Sequence, residues 1–357
     1  MTPKYQAIAD ELRVHIQAGK YVNAQTLPTE FAIAEEYQVS RQTVRQALSV
    51  LAKEGLIEKR QGSGSHITRR ETETAVPHRS IAVVTTYISD YIFPSILREV
   101  ETVLSQNNCT PSLFATQNQV SNERKVLQNL LNLPIDGILV EGTKTALPNP
   151  NLDLYQKIMD RGIPLVFIHG NYAQLHGALS VLDDNFSGGK QLTEYLIRKG
   201  HTRIAGIFKS DDIQGPGRYA GYTAALREAN IPVDDRLVFW YNTEYKTSIL
   251  ADTLAASPII QRNTLPTCSA VVCYNDEVAN QLISTLVRNK IDVPNEVAVV
   301  SFDNSQYSEL SPVPITSLSH GNKNVGHIAA EKLLSLMDGG LCQSELVPWT
   351  LVERASG

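Results

Sequence analysis

Residues able to hold a small polar molecule recur at the ends of short apolar runs. Ile81–Thr85 leads toward Tyr91 and Phe93, Gly137–Val140 into Glu141 and Lys144, and Pro164–Ile168 into His169. Leu179–Leu182 leads into Asp183, Ala270–Tyr274 into Asn275 and Asp276, and Ala298–Phe302 into Asp303. Carboxylates and amides converging on one cleft form paired hydrogen bonds with vicinal hydroxyls, and aromatic rings cover the C–H face of a sugar. A polar ligand offsets its desolvation only through such partners. Asp183 and Asp276 each precede a predicted helix, so a helix-capping role stands beside the ligand role for both.

A second group has different chemistry. Arg41, Gln42, Thr43 and Arg45 occupy the first turns of a predicted helix over Ser40–Glu54, away from its apolar face of Val44, Ala47, Leu48 and Leu51. Arg can bridge guanine O6 and N7, Gln can bridge adenine N6 and N7, and a helix N-terminus favours phosphate. Residues 1–70 carry a net charge of +3 and the remainder −8, within a total of −5. A basic head on an acidic body suits DNA contact at one end only.

Catalytic patterns are missing: there is no G-x-S-x-G, HExxH, GxxxxGK[ST] or CxxC. An enzyme using the cleft carboxylates is therefore the weaker reading, and neither cofactor nor metal is expected. Cys109, Cys268, Cys273 and Cys342 read as reduced thiols. Met1–Gln17 lacks the apolar core of a signal peptide, and no run of about 18 apolar residues could span a membrane. The expected location is the cytoplasm. A binding protein for transport would need a leader and would not need the basic head.

The elements that position these groups follow from periodicity. Tyr5, Ile8, Leu12 and Ile16 share one helical face. Thr29 and Ser40 are predicted N-caps of two further helices. Leu56–Arg60 and Ser65–Thr68 flank the Gly-rich turn Gln61–Gly64, a hairpin wing. Residues 1–68 thus predict a winged helix-turn-helix. Residues 69–79 are polar and aperiodic, a linker. From 80 to 357, short apolar strands alternate with helices, the pattern of parallel sheets covered on both faces. That length exceeds one ordinary sheet, so an α/β domain of two lobes with an intervening cleft is expected.

Two resemblances sharpen this. Leu27–Glu30, Val39–Leu48, Glu54–Ile57 and Arg60–Ile67 resemble the DNA-binding domain of the GntR family. The resemblance implies base and phosphate roles for Arg41, Thr43, Arg45 and the wing residues Gln61, Gly62, Ser63 and Gly64. It implies a phosphate contact for Lys4, and for Glu30 a role in contacting DNA or positioning an Arg. Val181–Gly189, Gly200–Ile204, Arg218–Tyr222, Cys273–Asp276 and Val300–Asn304 resemble the LacI-type, periplasmic-binding-protein-like sensor domain. Its ligand-lining positions fall on Arg218, Asn275, Asp276, Asp303, Glu141, His169 and His320, with Arg218 the foremost donor to sugar hydroxyls. Thr85–Ser95 and Gly206–Asp212 are similar to arabinose-responsive members that pair these two domains. The implied effector is L-arabinose. The whole reads as a homodimeric repressor on a roughly palindromic double-stranded operator, released by the sugar. A different sugar, or an activator of the same architecture, is the alternative.

Overall fold

The computed structural model describes residues 3–17, 20–21, 26–60, 64–68, 78–246 and 268–357. The chain divides into two compact units, Met1–Pro77 and His78–Gly357. Gln61, Gly62 and Ser63 of the expected wing turn, and linker residues 69–77, lie outside the described residues.

In the first unit, α1 (Lys4–Gln17), α2 (Glu30–Glu36) and α3 (Arg41–Lys53) precede strands β1 (Ile57–Arg60) and β2 (Gly64–Ile67). The strands pair antiparallel, Ile57 opposite Ile67. The predicted caps operate: the Thr29 hydroxyl accepts from the Ala32 amide, and the Ser40 hydroxyl from the Thr43 amide. Each satisfies a donor that the first helical turn leaves unpaired. Ile8, Leu12, Ile33, Val44, Leu48 and Leu51 close one core. Glu54 accepts from both Nε (2.9 Å) and Nη2 (2.7 Å) of Arg13, tying α1 to the end of α3.

Among its described residues the second unit holds two six-stranded sheets. One contains β3 (Arg79–Thr85), β4 (Cys109–Ala115), β5 (Gly137–Val140), β6 (Leu165–Ile168), β7 (Leu179–Asp183) and β13 (Glu345–Val347), ordered β13-β7-β6-β5-β3-β4. All its pairings are parallel. The other contains β8 (Ile204–Lys209), β9 (Val238–Tyr241), β10 (Ala270–Cys273), β11 (Ala298–Phe302), β12 (Thr316–Ser319) and β14 (Thr350–Val352), ordered β14-β12-β11-β10-β8-β9. Only its edge strand β14 is antiparallel. β5, β6, β10 and β11 are buried at every position, as strands covered on both faces must be. β3 takes in Arg79, which the sequence places in the linker. A charged residue opening a strand carries no apolar signal, and Arg79 is held there by Asp338 at 2.6 Å.

Helices cover both sheets. α4 (Phe93–Gln106), α5 (Val120–Leu130), α6 (Leu152–Asp160) and α11 (Val325–Met337) serve the first lobe. α7 (Asn185–Arg198), α8 (Gln214–Glu228), α9 (Asp276–Arg288) and the short α10 (Gln306–Leu310) serve the second. The chain passes between lobes after β7, after β12 and between β13 and β14. α7 and α8 touch backbone to backbone. A Cβ on Gly189 would stand 2.0 Å from the Arg218 carbonyl oxygen, and one on Gly221 2.0 Å from that of Phe186. Glycine at both places lets α8 approach closely enough to set Arg218 against Asn185.

Candidate functional site

On the first unit, Arg41, Gln42 and Arg45 are exposed on the early turns of α3, Thr43 is half-buried, and Lys4 is exposed at the start of α1. Glu30, first residue of α2, holds Arg45 through Nε at 2.8 Å and lies 3.9 Å from Arg41. One carboxylate therefore sets the rest position of two guanidinium groups on the outer face of α3. Exposed pairs of this kind contribute little stability.

In the second unit, a cavity of about 100 Å³ lies between the lobes, at the carboxyl ends of the strands. Tyr91, Phe93, Glu141, His169, Asp183, Arg218, Asn275 and Asp303 all line it. Arg218 is nearly fully buried. Its Nε donates to Asn185 Oδ1 (2.9 Å), Nη1 to the Tyr274 carbonyl, and Nη2 to Asp303 Oδ1 (3.4 Å). Its plane lies against Phe302 at 4.1 Å and Tyr274 at 4.7 Å. A guanidinium has five N–H groups, so a donor on each Nη remains beyond these bonds.

His169 is buried beside Glu141 and Asp183. Its Nδ1 is 2.9 Å from Asp183 Oδ2, and its Nε2 is buried with no hydrogen-bond partner. An unsatisfied buried nitrogen costs about 1–3 kcal/mol, which a ligand hydroxyl would offset. Burial opposes charge on His169, but Asp183 and Glu141 outweigh it and lift the imidazole to about 9. Burial likewise opposes charge on Asp183, yet His169 and His320 hold its carboxyl well below the usual range. Burial pushes the Glu141 carboxyl upward against the pull of His169 and of the Thr86 amide, which donates to it at 2.8 Å.

A histidine raised above its unfolded value stabilises the fold fully below about pH 6.5, and that contribution disappears as pH rises through the folded value. Asp183 stays ionised throughout this window. The thermal midpoint of the second unit is therefore expected to fall between about pH 6.5 and pH 9. Calorimetry across pH checks this, and His169→Gln should flatten the slope; an equal slope in the variant would assign it elsewhere.

Two expected residues, Asp276 and Lys144, stand outside both this cavity and the larger one beside it. Asn275 caps α9, its side chain accepting from the Val278 amide. Asp276, one residue on, is fully buried and accepts from Ser317 Oγ (2.7 Å) and the Ser305 amide (2.6 Å). It ties strand β12 to the N-cap of α10, and burial with nearby Asp303 raises it to about 7. Lys144 pairs with Glu244 at the rim. The capping alternative for Asp183 also falls to its neighbour: Asp184 caps α7 by accepting from the Ser187 amide. That leaves Asp183 to His169 and to His320, whose Nε2 is 2.8 Å from Asp183 Oδ1. His320 stacks on Trp349 at 3.7 Å, and its Nδ1 lies 3.1 Å from the Pro348 carbonyl oxygen. It thus touches all three passages between the lobes.

Lys209, Asp212, Gln214, Tyr241 and Thr243 line the cavity as well and were missed in sequence. Lys209 ends β8 and Asp212 follows it, where the strand-end rule points. Tyr241 ends β9, an edge strand, and Thr243 follows it. Backbone strain collects here too: Tyr91, Lys144, His169, Asp303 and Asn304 all have positive φ, a conformation that side-chain-bearing residues hold only when the surroundings impose it.

The lobes are latched together across the cavity. The Tyr91 hydroxyl donates to Asp303 Oδ2 (2.8 Å), Asn118 Nδ2 to Thr243 Oγ1 (2.6 Å), and the Ile213 amide to Thr145 Oγ1 (3.0 Å).

Residues 4–67 match the bacterial regulatory proteins of the gntR family, and residues 193–357 the periplasmic binding protein-like domain. The arabinose metabolism transcriptional repressor of Geobacillus stearothermophilus is 36% identical over 336 residues, covering 94% of this chain and 92% of its own. The chain belongs to the GntR-headed, LacI-type transcriptional repressors. The repressor is 34% identical over 342 residues to the arabinose metabolism transcriptional repressor of Halalkalibacterium halodurans, covering 95% and 90% of the two chains. Among solved structures, the transcription regulator CcpA of Lactococcus lactis superposes with a TM-score of 0.67 at 26% identity, covering 78% of the repressor and 98% of that chain. These relatives are regulators, and the repressor is a DNA-binding regulator rather than an enzyme. No helix among the described residues is long and apolar enough to cross a membrane.

Proposed function

We propose that the repressor holds the operators of sugar-utilisation genes as a cytoplasmic homodimer and releases them on binding L-arabinose between its lobes. The observation that carries this reading is the buried, unpartnered Nε2 of His169, a residue that lines a cavity together with Arg218, Glu141 and Asp303. Protonated His169 and Arg218 donate to sugar hydroxyls, and the carboxylates accept from them, so each hydroxyl exchanges water for charge-assisted partners. The names of the two bacterial relatives support arabinose as the sugar.

Sugar acts through the hinge. A hydroxyl on His169 Nε2 reaches Asp183 through the same ring, and Asp183 reaches His320 at the lobe crossings. Ligand that binds the closed arrangement better than the open one shifts the equilibrium by that difference, typically about 1–3 kcal/mol of coupling. Two heads spaced about one helical turn apart bind two half-sites, and reorientation breaks the spacing. Titrating L-arabinose into a gel shift of full-length repressor on its operator is expected to lower operator affinity about 5- to 150-fold. Unchanged affinity at saturating sugar would sink the reading.

A further inference from the structure

The cavity at Arg218 is one of two that communicate. A larger, more open chamber of about 940 Å³ adjoins it, and Tyr91, His169, Asp183 and Asp303 line both. We propose that this outer chamber is a second sugar subsite, so that the repressor's effectors include glycosides carrying a further sugar unit on the ring held at Arg218 and His169. The proposal rests on the sugar-binding reading above and goes beyond it in naming a longer ligand.

Three observations support it. The first is size. Ligand sites usually measure about 300–1,000 Å³; the outer chamber falls in that range, and the inner one has room for a single small ring. The second is the lining. Half-buried Tyr307 lies nearly parallel to Tyr91, with centroids 6.1 Å apart and planes 19° apart, and the His320–Trp349 stack forms another flat face. Asn304, Gln306 and Asn322 line the chamber as well. Flat rings beside uncharged donor–acceptor groups suit a sugar, which has an apolar C–H face and hydroxyls at its edge. The third is charge. Asp90, Glu99, Asp183, Glu277 and Asp303 outnumber Arg98, Lys246 and Lys323 around the chamber. Lys246 is already paired with Glu277 at 2.6 Å. No net positive field is present to select a phosphate over a neutral hydroxyl compound.

The test uses full-length repressor, operator gel shifts and calorimetry with three probes: L-arabinose, an α-1,5-linked L-arabinose disaccharide freed of monomer, and L-arabinose 5-phosphate. The disaccharide is expected to bind and to release the operator. Tyr307→Ala and, independently, the exposed Arg98→Ala are expected to raise the disaccharide concentration for half-release about tenfold. Neither variant should move the L-arabinose curve. Release by L-arabinose with no binding of the disaccharide would make the outer chamber a mere passage and overturn the proposal alone. Equal disaccharide response in both variants would place the second ring elsewhere and overturn it too. Stronger action of the phosphate than of the disaccharide would replace a glycoside subsite by an anion site. Failure of all three probes would instead overturn the sugar-binding reading, and this proposal with it.

Discussion

Arg218→Ala is expected to leave operator binding in place and to remove release by L-arabinose. Arg218 lies in the sensor unit, far in sequence from the DNA-reading helix, so the head retains its contacts. In the cavity the loss is large. A hydrogen bond between a charged donor and a hydroxyl contributes about 1.5–3 kcal/mol, so sugar affinity should fall about 10- to 150-fold. The substitution also strips Asp303 of its cation and opens space beside Phe302 and Tyr274, which lowers the stability of the unit. Arg218→Lys separates the two effects. It restores a positive charge near Asp303 but not the planar fork that engages Asn185, Tyr274 and Asp303 together. Thermal unfolding should recover toward the parent value while the sugar response stays impaired. Gel shifts over a sugar titration read the response. Release at the parent concentration in Arg218→Ala would remove Arg218 from the ligand site.

Arg45→Ala is expected to weaken specific operator binding by about 1–3 kcal/mol while binding to random duplex changes little. Arg45 is exposed on α3, and among the described residues it pairs with Glu30 at 2.8 Å. Its guanidinium is therefore pre-aimed, and the fold does not depend on it. Arg45→Lys discriminates base from backbone contact: a lysine supports a phosphate contact but cannot bridge guanine O6 and N7. Loss of specificity in both variants assigns Arg45 to a base edge. An unaltered ratio of specific to random affinity, with a shallower salt dependence, would assign it to phosphate instead.

The winged head was legible in sequence to within a residue or so, because its signals are local. Thr29 and Ser40 cap the helices that follow them, and the α3 residues of apolar period are the buried ones. The same holds for the fully buried strands β5, β10 and β11. β12 escaped because it is polar and buried at once. Thr316 and Ser317 are fully buried, with hydroxyls bonded to the Arg354 carbonyl and to Asp276. A pattern of hydrophobicity cannot mark such a strand. β9 and β14 escaped because they are short edge strands.

Strand-end position was enough to nominate Tyr91, Glu141, His169, Asn275 and Asp303, because parallel sheets deliver the residues after their carboxyl ends to one cleft. It was not enough to divide roles between neighbours. Asp183 and Asp184, and Asn275 and Asp276, are chemically similar pairs one residue apart, and only their directions in space differ. Tertiary packing turns Asp184 and Asn275 back onto their helices, Asp183 toward two histidines, and Asp276 toward Ser305 and Ser317.

The order of residues alone determined a DNA-reading head, a two-lobed α/β body and the strand ends where a ligand would sit, since caps, periodicity and turns act over a few positions. Only the tertiary structure decided that His320 meets Asp183 across 137 positions, that Arg218 meets Asp303 across 85, and that Tyr91 latches one lobe to the other. The first and third of these contacts join the two sheets and the second joins α8 to the end of β11 within one lobe, and no local pattern encodes such distances.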